Sequence, residues 1–272
     1  MIVNKKQTRW NHGCREEGHR RSKREREMSL MIEAIRQELP QSSLNQEQNS
    51  LQILEFGAGS GFQIPFLQKL GRVTASDIVL DSALKAAAGI NAVECGIAET
   101  PFDDHRFDLI FSNHVIEHLE DPQGAFRELR RIGKPDGVYA FSVPTNIWLM
   151  LSIPAQYWNR LRRLKPKFHE QGEKQPVAFF KGSPVDARHN RLNRFLPRGH
   201  GVEENFFRCY HQFKISTWRS FFERNQFTIS AVKPLLLYGP SEFPMIPTLP
   251  AAGDLCSSVL FILRQLKQGE KL

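Results

Sequence analysis

Apolar residues first fall at helical spacing from Arg24 onward, at Met28, Met31, Ile32, Ile35 and Leu39, and Pro40 ends the run. The two dozen residues before them show no apolar periodicity, so residues 1–23 are expected to form a mobile basic arm and residues 24–50 a helix and linker, the polar QSSLNQEQNS being the linker. Short apolar runs then alternate with helical patterns. Strands are expected at Leu51–Phe56, up to Asp77, near Ala92, at Phe107–Ser112 and at Val138–Val143, with helices from Gly61, from Asp81 and over Pro122–Ile132. Strands that alternate with helices imply an α/β chain with a mostly parallel sheet covered on both faces.

The rhythm stops between Pro144 and Arg208, so residues 144–208 are expected to be an insertion or lid after the fifth strand. Its first part, TNIWLMLSIPAQYWN, runs into RLRRLKPK. Gly137 to Asn159 contains no charged residue, long enough to raise a transmembrane helix. That reading is rejected because the first part completes a strand and Pro144 and Pro154 break helical continuity. An apolar patch beside a basic one, residues 146–167, suits either an acidic membrane interface or an acceptor with an anionic head; packing as a lid is the plainer alternative. Beyond it, residues 209–272 complete the core: Ile215–Arg224 reads as a helix with Trp218, Phe221 and Phe222 on its buried side, QFTISAVKP as a strand and SSVLFILRQ as a last strand.

The charge of +8 changes this picture because it is uneven. Residues 1–30 hold nine Lys and Arg against four Glu, and residues 160–208 hold twelve against five acids, leaving a slightly acidic body with two basic appendages. Such appendages either meet something anionic or are solvated charge runs. Cys14, Cys95, Cys209 and Cys256 have no C-x-x-C spacing, and no signal peptide is recognised, so the expectation is a reducing cytoplasm, with peripheral contact at the membrane, and neither a disulfide framework nor a thiolate zinc site. His12, Cys14 and His19 in the arm are too loosely spaced to argue for a metal.

In ILEFGAGSGFQIPFL an apolar run enters Gly57, Gly59 and Gly61. Glycine serves where a strand turns sharply into a helix and where backbone approaches a ligand, although G-x-G-x-x-G, the dinucleotide spacing, is absent. Asp77 closes the second strand, sixteen residues after Gly61, where a carboxylate can accept from both ribose hydroxyls of an adenosine; the plainer reading is a cap of the following turn. His114-Val-Ile-Glu117-His118 matches the zinc-peptidase pattern H-x-x-E-H. That pattern needs a helix continuing past both histidines and a third ligand downstream, whereas here a strand precedes His114 and Pro122 follows closely. No metal is expected, and Glu117 and His118 are assigned to holding the turn.

Together LEFGAGSG, Asp77, GIAETPFDDHRFDLIFSNHVIEHLEDP and GVYAFSVP resemble the class I S-adenosylmethionine-dependent methyltransferases, in the small-molecule branch that includes ubiquinone-biosynthesis enzymes. The likeness covers residues 51–143, the expected cofactor-binding core, and more loosely YHQFKISTWRSFFERNQFTI. RFLPRGHGVEENFFRCYHQF also resembles methyltransferases encoded among cell-surface polysaccharide genes. The resemblance implies a Rossmann-like seven-stranded sheet with the last strand antiparallel, and S-adenosyl-L-methionine as cofactor. It implies that Gly57, Ala58, Gly59 and Gly61 lie under the methionine part, Glu55 near its amino group, Asp77 on the ribose, Ile78 on the adenine, and Asn113 and His114 at the methyl-donor end. In place of the family's G-D-A-E the chain reads Gly96-Ile97-Ala98-Glu99, which leaves adenine recognition to backbone around Ala98 or to Glu99.

Methyl transfer to a hydroxyl needs a proton acceptor, and a neutral histidine suits that task. His114, His200 and His211 are the candidates, His200 in the loop RGHGVEEN beside Glu203. The expected function is methyl transfer to a small-molecule, lipid-like or saccharide acceptor, at oxygen. Its rivals are a nucleic-acid methyltransferase, disfavoured because SNHV lacks the Pro-Pro-aromatic turn of DNA amino-methylating enzymes, and a non-catalytic cofactor-binding protein.

Overall fold

A computed structural model describes residues 5–40, 51–87, 89–164, 200, 205–239 and 247–266. The side chains of His12, Cys14 and His19, the linker, most of the expected lid (165–199 and 201–204, with Glu203) and the side chains of Arg160, Arg162 and Arg163 lie outside the described residues.

The strands β1 (Leu51–Phe56), β2 (Gly71–Asp77), β3 (Asn91–Glu94), β4 (Phe107–Asn113), β5 (Gly133–Pro144), β6 (Phe227–Pro234) and β9 (Ser258–Gln265) form one sheet in the order β3-β2-β1-β4-β5-β9-β6. The pairs among β1 to β5 are parallel; β9 runs antiparallel to both β5 and β6. This is the expected Rossmann-like seven-stranded α/β sheet. A two-stranded ribbon, β7 (Leu236–Leu237) with β8 (Leu249–Pro250), was not legible beforehand.

The central strands are apolar on both faces because each face carries its own core. Ile53, Leu109, Phe111, Val138, Ala140 and Ile262 point to the side covered by the N-terminal helix α1 (Lys5–Glu38). Leu54, Phe56, Ile110, Tyr139, Phe141 and Phe261 point to the other, where helices α4 (Pro122–Ile132) and α7 (Ile215–Arg224) supply Phe126, Leu129, Trp218 and Phe222. Alternation within one run is the period-two geometry of a strand buried on both sides. Trp218 and Phe222 are buried while Phe221 is half-buried, and the Trp218 indole N–H donates to the Pro144 carbonyl, 3.2 Å away.

Several expectations are corrected. The basic arm is not separate from the first helix: α1 runs unbroken over Lys5–Glu38. Lys, Arg, Gln and Glu are good helix formers that need no apolar stripe, and pairs such as Arg21 with Glu25 (3.0 Å) support the solvated turns. The helix expected from Gly61 is the single turn α2 (Ile64–Leu67), and the one after Asp81 is α3 (Ser82–Ala86), capped by the Asp81 carboxylate accepting from the Ala83 N–H. Pro154 does not end its helix either: α5 spans Asn146–Leu164 with that proline inside. Helix α6 (Phe206–Gln212) follows, capped by Asn205. No helix among the described residues is long and apolar enough to cross a membrane.

Candidate functional site

The strand order reverses at β1, because β2 and β3 extend one way and β4 and β5 the other. At such a switch point the loops leaving neighbouring parallel strands diverge and open a crevice at their carboxyl ends. Both candidate motifs emerge there. After β1 the amides of Gly57 and Ala58 donate to the Ser76 carbonyl of β2 (2.8 and 3.1 Å), and Gly57 has φ 71°. A β-carbon at Gly57 would stand 2.3 Å from Val115 Cγ2, so the glycine loop lies directly against the turn after β4. Gly59 differs, with a positive φ of 54° and no atom within 4 Å of its missing β-carbon, which leaves an open cradle above bare backbone.

The Asp77 carboxylate accepts from the Gly59 N–H (2.8 Å) and the Val79 N–H (3.4 Å). The local turn reading is therefore true, but the same carboxylate also fixes the glycine loop. Beside it Ile78 and Val79 are 74% and 70% exposed, an apolar shelf at the rim. Underneath, Glu55 is 1% exposed and its Oε2 has no hydrogen-bond partner. Burial first, and then the Asp77 charge, push its carboxyl up to about 8.

Ala98 and Glu99, which follow β3, are both exposed. The stretch after them is anchored by Arg131, which pairs with Asp104 (2.5 Å) and Glu128 (2.7 Å) and donates to the Phe102 carbonyl, while Glu128 accepts from the Thr100 N–H and hydroxyl. Hydrogen bonds from Arg131 and then Thr100, against partial burial, hold Glu128 down to about 2. This clamp was not anticipated, since its members are scattered charges without a motif.

The turn after β4 carries the histidines. Asn113 Oδ1 accepts from the Ser142 hydroxyl. His114 adopts φ 55°, a left-handed conformation rare outside glycine, with its N–H on the Ser142 carbonyl (3.0 Å). Its Nδ1 lies 3.5 Å from Glu117 Oε1, and His118 Nε2 lies 4.0 Å from the same oxygen. Burial alone would lower the His114 pKa, but Glu117 outweighs it and the imidazole stays above its ordinary value. His200 joins the group, its ring 5.0 Å from that of His118 and 4.9 Å from that of Trp148. Burial and neighbouring His118 lower its pKa. Thus His114 and His200 converge, whereas His211 is exposed with its ring against Tyr210, and no described contact ties it to them. The H-x-x-E-H stretch is a three-residue 3₁₀ turn, Ile116–His118, and not the long helix of a zinc peptidase.

Of two buried carboxylates near this turn, the sequence reading assigned Glu117 to holding it and missed Glu27. Glu117 has a wholly buried side chain. Glu27 of α1 is buried too, accepting from the Tyr238 hydroxyl (3.2 Å) and the Ser258 hydroxyl, with Lys23 above the Tyr238 ring. Both α1 charges act on His114, and Arg24 stacks 4.2 Å over Phe62, so α1 roofs this end of the sheet. A signal existed: Glu27 falls four residues before Met31, on the apolar stripe.

Residues 54–141 match the family model of a methyltransferase domain. The chain is 28% identical over 159 residues to a malonyl-[acyl-carrier protein] O-methyltransferase of Halorhodospira halophila, covering 54% of each chain, and 32% identical over 143 residues to that of Pectobacterium atrosepticum, covering 51% of this chain and 52% of the relative. It is 22% identical over 179 residues to a ubiquinone biosynthesis O-methyltransferase of Serratia proteamaculans, 57% of this chain and 72% of the relative. The chain spans about half the length of the first two. With the switch-point site, these matches make residues 54–141 similar to a methyltransferase domain, a class of domain whose common cofactor is S-adenosylmethionine.

The residues present suit that cofactor. The open Gly59 cradle, the orphaned buried carboxylate of Glu55 and the apolar shelf of Ile78 offer contacts for backbone-close, cationic and flat aromatic groups respectively.

Proposed function

We propose that this chain transfers a methyl group from S-adenosylmethionine to an oxygen of a small-molecule, lipid-like or saccharide acceptor. The observation that carries the reading is the meeting of the open glycine cradle, the Asp77 end of β2 and the His114 turn in one crevice. Glu55, Gly57, Ala58, Gly59 and Gly61 would hold the methionine part, Asp77 the ribose, and Ile78 with Ala98 and Glu99 the adenine. When bound, the sulfonium supplies an electrophilic methyl whose leaving group departs neutral.

The protein's task is then placement and proton handling. In-line positioning supplies much of the acceleration in such a displacement. Asn113 and His114 would line the reacting end, and His114 Nε2 would take the acceptor's proton while Glu117 stabilises the resulting imidazolium through Nδ1. The three relatives named above are all O-methyltransferases, which supports oxygen; an acyl carboxylate and a phenol are accordingly the first acceptors to try.

The test is label transfer from methyl-labelled S-adenosylmethionine to a panel of thioester-linked dicarboxylates, phenols and saccharides. Turnover on one acceptor, lost in His114→Ala but with S-adenosylhomocysteine binding retained, is the expected result. Cofactor binding without turnover on any acceptor would favour the non-catalytic alternative.

A further inference from the structure

Glu117 is only partly satisfied by the place the methyl-transfer reading gives it beside His114. Its side chain is wholly buried, yet neither oxygen makes a hydrogen bond among the described residues, His114 being too distant at 3.5 Å. A buried carboxylate without a strong partner is costly, and its commonest remedies are an ion pair or a metal. Around it, Glu117, His118 and His200 each present one donor atom, all within 4.8 Å of one another.

We propose that Glu117, His118 and His200 form a divalent transition-metal site of the zinc type beside the His114 turn. Two imidazoles and one carboxylate are the ligands borderline-soft ions prefer, and three protein ligands leave positions open. Metal–ligand bonds of about 2.0–2.2 Å place donors roughly 3.4 Å apart in a tetrahedron. The cluster needs to tighten only modestly, which the half-exposed His118 ring can do by side-chain rotation. The residue distant in sequence is held in place: the His200 N–H lies 3.3 Å from Cys209 Sγ on α6, and its ring packs against Trp148 on α5. The open positions would take an oxygen of the acceptor, a role that rests on the methyltransferase reading; the metal site itself does not.

The test is titration of the chelator-stripped full chain with Zn²⁺ by calorimetry and with Co²⁺ by visible absorption. One equivalent should bind, and His118→Ala and Glu117→Gln should each weaken Zn²⁺ by at least about tenfold, while His211→Ala leaves it unchanged. His118 is half-exposed, so its removal spares the core if Glu117→Gln misfolds. Absence of stoichiometric binding, or binding indifferent to both variants, overturns the proposal. S-adenosylhomocysteine affinity, measured on the same stripped protein, reports separately on the cofactor reading.

Discussion

Replacing Glu55 by Gln should make the ligand-free protein more stable at neutral pH and its cofactor binding weaker. Burial and Asp77 raise the carboxyl from 4.5 to about 8 in the folded chain. Because the folded pKa lies above the unfolded one, this group's stabilising contribution is complete below pH 4.5 and is lost as pH rises through 8. Each pH unit in that window removes about 1.4 kcal/mol, so the native protein should lose about 3 kcal/mol from this group by neutral pH. Gln keeps the shape of the protonated acid and cannot ionise. Urea unfolding of both proteins at several pH values between 5 and 8 should therefore give profiles that diverge as pH rises, the variant becoming the more stable by about 3 kcal/mol at pH 7. If a cationic amino group binds at Glu55, the native protein should also release up to about one proton on taking up S-adenosylhomocysteine near pH 7, visible as buffer-dependent heat. Parallel pH profiles for the two proteins would refute both the burial argument and the carboxylate's assignment.

Asp77→Ala should weaken S-adenosylhomocysteine binding by about 1.5–3 kcal/mol, the scale of hydrogen bonds to a charged group, in a calorimetric titration. Gly57→Ala should destabilise the fold by about 2 kcal/mol or more in thermal melts, since the new methyl meets Val115 at 2.3 Å in a left-handed backbone. Arg131→Ala should cost about 2 kcal/mol and speed amide exchange at Thr100. Because Glu128 is held down to about 2, its contribution is present above pH 4.5 and fades as pH falls towards 2, so the gap between native protein and variant should close in acid.

The elements whose character is local were legible. β1, α4 and α7 begin and end where apolar runs, Pro122 and the polar flanks say they should. The extension of α1 was not, because charged helix formers leave no apolar period to read. Nor was the start of β5, where Gly133-Lys-Pro-Asp-Gly looks like a turn but pairs with Phe107 across a bulge. Pro154 misled for a related reason: one proline costs a helix about 3 kcal/mol, which tertiary packing such as that of buried Leu149 and Ser152 can offset. In the site, contacts set by strand ends and glycine turns were visible in spacing. Those that join distant segments were not: His200 reaches His118 across 82 positions, and Glu27 reaches Ser258 across 231.

The central claim is that this crevice holds S-adenosylmethionine, and titration of the full chain with S-adenosylhomocysteine tests it most directly. The account predicts saturable, micromolar, one-to-one binding that Asp77→Ala weakens at least about tenfold. Folded protein that takes up no S-adenosylhomocysteine, or binds it equally well without the Asp77 carboxylate, would contradict it.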